Sequence, residues 1–408
     1  MEKSRKPKIR FKGFTDDWEH RKLGDIMNIA SVKRIHQSDW TDSGIRFLRA
    51  RDIVSASKNE EPDDYLYISK EKYDEYSLVS GKVAIGDLLV TGVGTIGVPY
   101  LIRNSEPIYF KDGNIIWFQN GTKIDGDFFL YSFFGKTIQD FINESAGTGT
   151  VGTYTIESGK KTPISLPEMK EQKQIGTYFR NLDNLITLHQ RKLDKLINVK
   201  KSMLEKMFPK QGSTVPEVRF SGFTEDWEQR ELGELYQHNT ERNEKLIGYD
   251  KTISVATMSF KDNGNGASES SLSTYKVLRV GDIAFEGHTN KQFRFGRFVV
   301  NDIGTGIMSP RFSTLRPSKE MSVDFWKQYI HSESVMRRVL VNSTKAGTMM
   351  NELVVPEFLN QTIMVPSETE QAVIGQYFTN LDNLITLHQR KLEKLKNIKK
   401  SMLEKMFI

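Results

Sequence analysis

The chain contains one long segment twice. Ile175–Phe208 and Ile374–Phe407 are identical at 29 of 34 positions without a gap, whereas chance in ordinary composition would give about 2 identities. A second pair of segments, Pro7–Gly24 and Pro216–Gly233, is identical at 12 of 18 positions. Each half of the chain therefore begins and ends in the same way, which indicates a duplication.

The residues between these shared ends differ strongly. Residues 25–165 and 234–365 show only scattered matches, such as Gly86-Asp87-Leu88 with Gly281-Asp282-Ile283. The shared segments at the ends of each half form a frame around dissimilar residues. This arrangement favours a scaffold that holds two domains, each of which recognises a different target. The alternative interpretation is an old duplication whose interiors drifted apart.

Composition narrows the class of protein. A length of 408 residues predicts two domains, and no apolar run is long enough to suggest a membrane span. The chain has no cysteine, which excludes disulfides, thiolate metal sites and cysteine nucleophiles. Because the first residues lack the apolar stretch of a secretion signal, we expect a soluble, cytoplasmic protein. The net charge of +6 suits an anionic partner without requiring one.

The repeated segment predicts a long helix in each half. Apolar residues recur at alternating steps of four and three, the pattern of a helix packed along another helix. Neither Gly nor Pro occurs between Thr177 and Phe208, and about 36 residues from Gln172 onward would span roughly 54 Å. Sequence symmetry leaves open whether the two helices run parallel or antiparallel. We expect them to pair through Leu182, Ile186, His189, Leu193, Leu196, Met203, Leu381, Ile385, His388, Leu392, Leu395 and Met402.

Two histidines occur among the residues that we expect to pair the helices, and histidine is a common metal ligand. His189 and His388 each lack a second histidine or a carboxylate at i+3 or i+4 on the same face, so a packed histidine is the favoured interpretation. The sequence therefore predicts no metal site.

The interiors of the two halves have the pattern of α+β domains. Short β-rich runs alternate with Gly and Asp turns; they are Val83–Val90, Ile96–Ile102, Asn114–Phe118, Thr252–Met258, Ile283–Glu286 and Arg297–Val300. Helical patterns occur at Phe128–Asn143 and Val323–Asn342.

The predicted loops carry side chains that suit DNA. Arginine can bind guanine through two hydrogen bonds, asparagine and glutamine can bind adenine, and small hydroxyl residues beside glycine let a backbone approach a groove. Taken singly, these residues also have structural interpretations, because Gly and Thr clusters form turns and arginines pair with acids. The candidate DNA contacts are Lys33, Arg34, Arg49, Arg51, Thr91, Thr95, Thr148, Thr150 and Tyr154 in the first half, and Arg242, His288, Asn290, Lys291, Arg294, Lys345 and Thr348 in the second.

Two short motifs recur at the ends of the domains. Each half opens with Arg-Phe-x-Gly-Phe-Thr-x-Asp-Trp, at Arg10–Trp18 and Arg219–Trp227, and closes with Pro-x-x-x-Glu-Gln-x-x-Ile, at Pro167–Ile175 and Pro366–Ile374. With the long repeated segments that follow, these motifs make the whole chain resemble the specificity subunits of type I restriction-modification systems.

The resemblance implies an architecture and a function. It implies two target-recognition domains, each followed by a long spacer helix, with the helices packed as an antiparallel coiled coil of pseudo-twofold symmetry. The expected domains are residues 1–165 and 216–365, the expected helices 166–208 and 366–408, and the linker 209–215. Each recognition domain would read one half of a split site in double-stranded DNA, and the helices would fix the unread gap.

The resemblance also implies partners. Two methyltransferase subunits would dock on the shared frame, and restriction and translocase subunits would join them, so that the complex methylates adenine or cuts DNA. S-adenosylmethionine, ATP and Mg²⁺ are then expected only in the partner subunits, and this chain would need no cofactor.

Two other classes of protein remain as alternatives. An enzyme is disfavoured, because the chain has no Asn-Pro-Pro-Tyr/Phe methyltransferase motif and no Gly-x-x-x-x-Gly-Lys-Ser/Thr phosphate loop. Pro62-Asp63 also lacks the Glu-x-Lys of a metal-dependent nuclease, so we predict no catalytic residue. A non-catalytic interaction scaffold without DNA sequence specificity would show no salt-dependent affinity for DNA.

Overall fold

The computed structural model describes residues 6–408, apart from residues 59, 147–151, 246, 262, 263, 265 and 267. The chain forms two compact units. Unit 1 comprises Met1–Arg191 together with Gln389–Ile408, and unit 2 comprises Lys192–His388. Each unit therefore contains one α+β domain and parts of both repeated segments.

The first half of the chain, up to the end of its long helix, consists of short strands and helices followed by that long helix. The strands are β1 (Glu19–Lys22), β2 (Asn28–Ala30), β3 (Trp40–Thr41), β4 (Ile45–Leu48), β5 (Leu66–Ile68), β6 (Leu88–Thr91), β7 (Pro99–Leu101), β8 (Ile108–Phe110), β9 (Ile115–Gln119) and β10 (Pro163–Leu166). The helices are α1 (Leu23–Ile26), α2 (Ala50–Ser57), α3 (Lys70–Ser80), α4 (Gly126–Ser132), α5 (Lys136–Ser145), α6 (Ile156–Lys161) and α7 (Met169–Lys206).

The second half has a similar succession of elements. The strands are β11 (Glu228–Glu231), β12 (Tyr236–His238), β13 (Thr252–Ser254), β14 (Ser259–Lys261), β15 (Lys276–Leu278), β16 (Ile283–Glu286), β17 (Arg297–Val300), β18 (Gly306–Met308), β19 (Thr314–Pro317), β20 (Thr344–Lys345), β21 (Glu352–Leu353) and β22 (Thr362–Val365). The helices are α8 (Leu232–Leu235), α9 (Val323–Tyr329), α10 (Glu333–Ser343), α11 (Val355–Leu359) and α12 (Glu368–Met406), and 3₁₀ turns occur at Gln37–Asp39, Tyr249–Lys251 and Glu269–Thr274.

The two domains share a sheet topology that their sequences conceal. In unit 1 an antiparallel sheet has the order β2-β9-β6-β7, and in unit 2 the order β12-β19-β16-β17 is its counterpart. A second sheet contains one parallel pair in each unit, β4 with β8 and β13 with β18. The edge strands of this second sheet differ, with the order β3-β5-β4-β8 in unit 1 and β14-β13-β18-β15 in unit 2.

The Gly-Asp match between the two interiors has a structural reason. Asp87 and Asp282 are buried and stand just before the equivalent strands β6 and β16. The Asp87 carboxylate accepts hydrogen bonds from the Ala84 amide and the Trp117 indole, both at 2.8 Å. The Asp282 carboxylate accepts one from the Arg279 amide, also at 2.8 Å. Each aspartate therefore closes the turn that leads into a central strand.

The opening and closing motifs are joined by a buried ion pair in each unit. Arg10 binds Glu171 through two hydrogen bonds of 2.7 Å, and Arg219 binds Glu370 through two of 2.8 Å. The glutamate side chains are 0% and 1% exposed. This pair ties the start of each domain to the first turn of its long helix.

The long helices were predicted and are present, at 38 residues in α7 and 39 in α12. In unit 1, Lys399 of α12 binds Asp183 of α7 at 2.6 Å, and the rings of Phe407 and Phe179 lie 5.7 Å apart. Residue numbers thus fall along α12 as they rise along α7, so the packed segments are antiparallel.

Unit 2 contains the equivalent contacts. Lys200 of α7 binds Asp382 of α12 at 2.6 Å, and the rings of Phe208 and Phe378 lie 6.0 Å apart. These are the same repeat positions with the two helices exchanged, so the helix segments are antiparallel here too. All twelve residues that were predicted to pair the helices are buried or half-buried.

The helical patterns predicted at residues 128–143 and 323–342 are each two helices in the structure. The first breaks between α4 and α5, where Gly135 is in an extended conformation and a Cβ would lie 2.9 Å from the Ser132 carbonyl oxygen. The second breaks before α10, where Ser332 is extended. The apolar residues of the two helices in each pair have a similar spacing along the chain. The sequence therefore showed one helical pattern where the structure has two helices.

Candidate nucleic-acid interface

In unit 1, two loops that carry candidate residues meet at a glycine. The loop after β6 begins at Gly92, whose carbonyl oxygen accepts a hydrogen bond from the Tyr154 amide at 2.8 Å. The Gly92 amide donates to the Asn114 carbonyl at 2.8 Å. A Cβ on Gly92 would lie 2.6 Å from the Tyr154 carbonyl oxygen, so only glycine allows this approach. Backbone hydrogen bonds therefore join the segments around residues 92, 114 and 154.

The candidate residues of these loops have different environments. Thr95 is exposed, whereas Thr91 is fully buried and its hydroxyl binds the Thr95 carbonyl and the Val98 amide. Tyr154 is 2% exposed, and its hydroxyl binds Thr162. Burial raises the pKa of Tyr154. Thr91 and Tyr154 thus hold the loops in place, and Thr148 and Thr150 lie outside the described residues.

Among the basic candidates of unit 1, Arg49 follows β4 and Arg51 lies in α2, whereas Lys33 and Arg34 lie between β2 and β3. Arg49 and Arg51 both bind Asp64, at 2.9 and 2.7 Å, and Arg34 binds Asp112 at 2.8 Å. The Lys33 ammonium lies 3.9 Å from the centroid of the Tyr76 ring. Arg34, Arg51 and Lys33 remain exposed, while Arg49 is half-buried.

The corresponding loops of unit 2 also meet at a glycine. Gly287 follows β16, and its carbonyl oxygen accepts a hydrogen bond from the Asn351 amide at 3.0 Å. A Cβ on Gly287 would lie 1.9 Å from the Asn351 carbonyl oxygen. Strands β20 and β21 pair as a hairpin that carries residues 346–351 beside the loop 287–294. The structure thus brings together two loops that the sequence placed about 60 residues apart.

The polar candidates of these two loops are exposed, and hydrogen bonds and an ion pair hold the segments that carry them. They are His288, Asn290, Lys291, Arg294, Lys345 and Thr348. The Asn290 carboxamide oxygen accepts hydrogen bonds from the Gln292 and Phe293 amides, which fixes the turn. Beneath them, buried Glu286 binds Arg297 at 2.7 Å. Arg242 is exposed on a different part of the domain, opposite Lys276.

Two residues that lie beside the candidates were absent from the predicted set. Met349 is 77% exposed at the tip of the β20–β21 hairpin, and Lys276 is buried beside Arg242. The pairing of distant strands places both residues, so no local sequence pattern could have identified them. That the predicted residues contact DNA stays a prediction.

Two features are absent from the described part of the chain. No group of three or more His, Asp or Glu side chains there has the arrangement to hold a metal ion. None of the helices found there has both the length and the apolar character that crossing a bilayer requires.

The fold and these loops define a two-domain protein in which a duplicated helical frame carries two different polar surfaces. Residues 15–198 and 224–397 match the family described as type I restriction modification DNA specificity domain. The chain belongs to this family.

Individual relatives agree with this assignment. A putative type I restriction enzyme specificity subunit of Haemophilus influenzae is 33% identical over 169 residues, which cover 40% of this chain and only 41% of that protein. A putative specificity subunit of Methanocaldococcus jannaschii is 22% identical, and the alignment covers 95% of this chain and 92% of the relative. The crystal structure of the type I restriction-modification S subunit from M. genitalium shares the fold, with a TM-score of 0.59, 13% identity and 99% coverage of both chains.

Proposed function

We propose that this chain is the DNA sequence-specificity subunit of a type I restriction-modification complex. The main support for this function is that two domains of the same topology place different exposed side chains on equivalent paired loops. The first domain presents Thr95 on these loops and the cations Lys33, Arg34 and Arg51 elsewhere, whereas the loops of the second present Asn290, Lys291 and Arg294. Because hydrogen-bonding side chains distinguish base pairs in the major groove, the two surfaces would read different half-sites.

The test of this function is the adenine methylation of a genome. Cells that carry this chain with its cognate methyltransferase subunit are compared with cells that lack only this chain. We expect one split, gapped motif to be methylated only in the presence of the chain. An unchanged methylome in cells where the complex assembles would instead favour the interaction scaffold.

The paired helices α7 and α12 would set the number of unread base pairs between the half-sites. Inserting one heptad into each helix adds about 10 Å of helix, which corresponds to about three base pairs of duplex. We expect the methylated motif to keep both half-sites and its unread gap to become longer by about three base pairs. Replacing a heptad by another of equal length is the control and should leave the gap unchanged; an unchanged gap after insertion would contradict the proposal.

Exposed leucines on the long helices favour docking of partner subunits. Leu185 and Leu188 of α7 are 44% and 60% exposed, and their repeat counterparts Leu384 and Leu387 of α12 are 43% and 45% exposed. Each pair has i, i+3 spacing and therefore lies on one face of its helix. The same apolar pair occurs twice, so we propose that each copy binds one methyltransferase subunit.

Replacing the leucines by serine tests this docking. Each buried leucine contributes roughly 1.5–3 kcal/mol to an interface, so Leu185→Ser with Leu188→Ser should leave a complex with one methyltransferase subunit. The fourfold variant should bind none, as measured by native mass spectrometry. Ile197→Lys is the control, because Ile197 is 44% exposed but its repeat counterpart is Lys396. Full assembly of the fourfold variant would place the docking surface elsewhere.

In this proposal the chain itself performs no chemistry. Methylation, ATP hydrolysis and cleavage would belong to the methyltransferase and restriction subunits, which would bind S-adenosylmethionine, ATP and Mg²⁺. The sequence motifs of these activities are missing from the chain, and the polar groups of the paired loops suit binding of base edges and phosphates.

A further inference from the structure

Two cations face each other on paired backbone segments of unit 2. Arg242 and Lys276 form an antiparallel bridge, flanked by hydrogen bonds from the Asn243 amide to the Tyr275 carbonyl at 2.9 Å and from the Val277 amide to the Glu241 carbonyl at 3.0 Å. Directly opposed residues of an antiparallel pair project to the same face, with Cβ atoms about 5 Å apart. Like charges in this position destabilise a fold.

The lysine of this pair is buried without an acid. Lys276 is 9% exposed, and its ammonium donates to the Phe312 carbonyl at 2.8 Å. The Arg242 guanidinium donates to the Thr274 carbonyl at 2.6 Å. Among the described residues neither cation has a carboxylate within 4 Å. Burial, and then the charge of Arg242, lower the pKa of Lys276, and burial followed by Lys276 lowers that of His238.

The acids nearby are already occupied by other arginines. Glu241 binds Arg279 at 2.7 Å and Arg316 at 2.6 Å, and Arg316 also binds Asp282 at 2.8 Å. These interactions leave the Arg242–Lys276 pair as a local excess of positive charge. Two opposed cations without an acid destabilise the free protein. Their presence is explained if an anion binds between Arg242 and Lys276 when the protein binds its ligand.

We propose that Arg242 and Lys276 together bind one phosphate group, and that this group belongs to the DNA backbone. The proposal rests on the proposed function and adds a contact outside the paired loops. A guanidinium and an ammonium supply several charged donors to phosphate oxygens. Such a contact fixes the position of the domain on the duplex and carries no base information.

The test uses the complete complex with its methyltransferase subunits. Lys276→Met and Arg242→Gln should each weaken binding to a duplex that contains the methylated motif by about tenfold. Each variant should also reduce the slope of log affinity against log salt by about 0.9, while the methylated motif stays the same. Lys276→Met should keep or raise the melting temperature, because it removes a buried ammonium that has no carboxylate partner among the described residues and lies opposite Arg242. Lys319→Met is the control, since Lys319 already binds Glu368 at 2.7 Å, and should change neither quantity.

Other outcomes would overturn the proposal. If inorganic phosphate at constant ionic strength stabilises the wild-type complex but not the variants, and DNA affinity is unchanged, the site binds a free anion and not DNA. If a variant changes the methylated motif, the pair reads bases. If affinity and salt slope are both unchanged, no phosphate binds there. These outcomes differ from a failure of the proposed function itself, because in that case the wild-type complex would methylate no gapped motif.

Discussion

Gly287→Ala is expected to remove recognition of one half-site while the other is retained. The added methyl group would lie 1.9 Å from the Asn351 carbonyl oxygen and 2.9 Å from its carbonyl carbon. These are backbone atoms of the neighbouring loop, which cannot rotate away as a side chain can. The loop 287–294 and the β20–β21 hairpin must therefore separate, at a cost of about 1–3 kcal/mol. Affinity of the assembled complex should fall about tenfold or more.

The measurement combines binding with methylation mapping. Duplexes that carry only the first or only the second half-site should show that the loss is confined to the half read by unit 2, and the full motif should lose its methylation. Gly248→Ala is the matched control in the same unit, because among the described residues its Cβ would meet only the end of the Asp250 side chain. Normal affinity and an intact motif in Gly287→Ala would show that the paired loops of unit 2 do not read DNA.

The second large effect is expected from Arg219→Ala. This change removes the partner of Glu370, whose side chain is 1% exposed, and leaves a buried carboxylate without its two hydrogen bonds. Breaking a buried ion pair in this way costs about 3–5 kcal/mol. Because Arg219 connects the opening motif to the first turn of α12, we expect the loss of stability to be concentrated in unit 2.

Hydrogen–deuterium exchange locates this effect. Amides of the β11–β22 pair should lose protection in Arg219→Ala, whereas those of the β1–β10 pair in unit 1 should not. Lys319→Ala is the control, because the Lys319–Glu368 pair is 60% and 77% exposed and such surface pairs contribute little. Arg219→Met with Glu370→Leu should recover most of the stability, since an apolar pair leaves no buried charge. A uniform or negligible change in protection for Arg219→Ala would contradict the role of the ion pair.

Local patterns in the sequence were sufficient to predict the long helices of the frame. The helices at Met169–Lys206 and Glu368–Met406 were predicted because apolar periodicity, the absence of Pro and the stop signal at Pro209 all lie within one segment. The exposed state of the loop residues His288–Gln292 likewise agrees with their polar, turn-forming composition. The duplication also predicted that the two copies of the shared segments would adopt the same structure.

Contacts between distant segments decided the rest. The antiparallel direction of the helices depends on the Asp183–Lys399 and Lys200–Asp382 pairs, which join positions about 180–220 residues apart. The shared sheet topology was hidden because strand pairing constrains burial and register more than residue identity. The meeting of Gly287 with Asn351 and of Arg242 with Lys276 follows from the same tertiary pairing. The sequence by itself thus determined the two long helices and the duplication of this protein. Only the tertiary structure decided which loops and charges face one another, because those distances are set by packing and not by spacing along the chain.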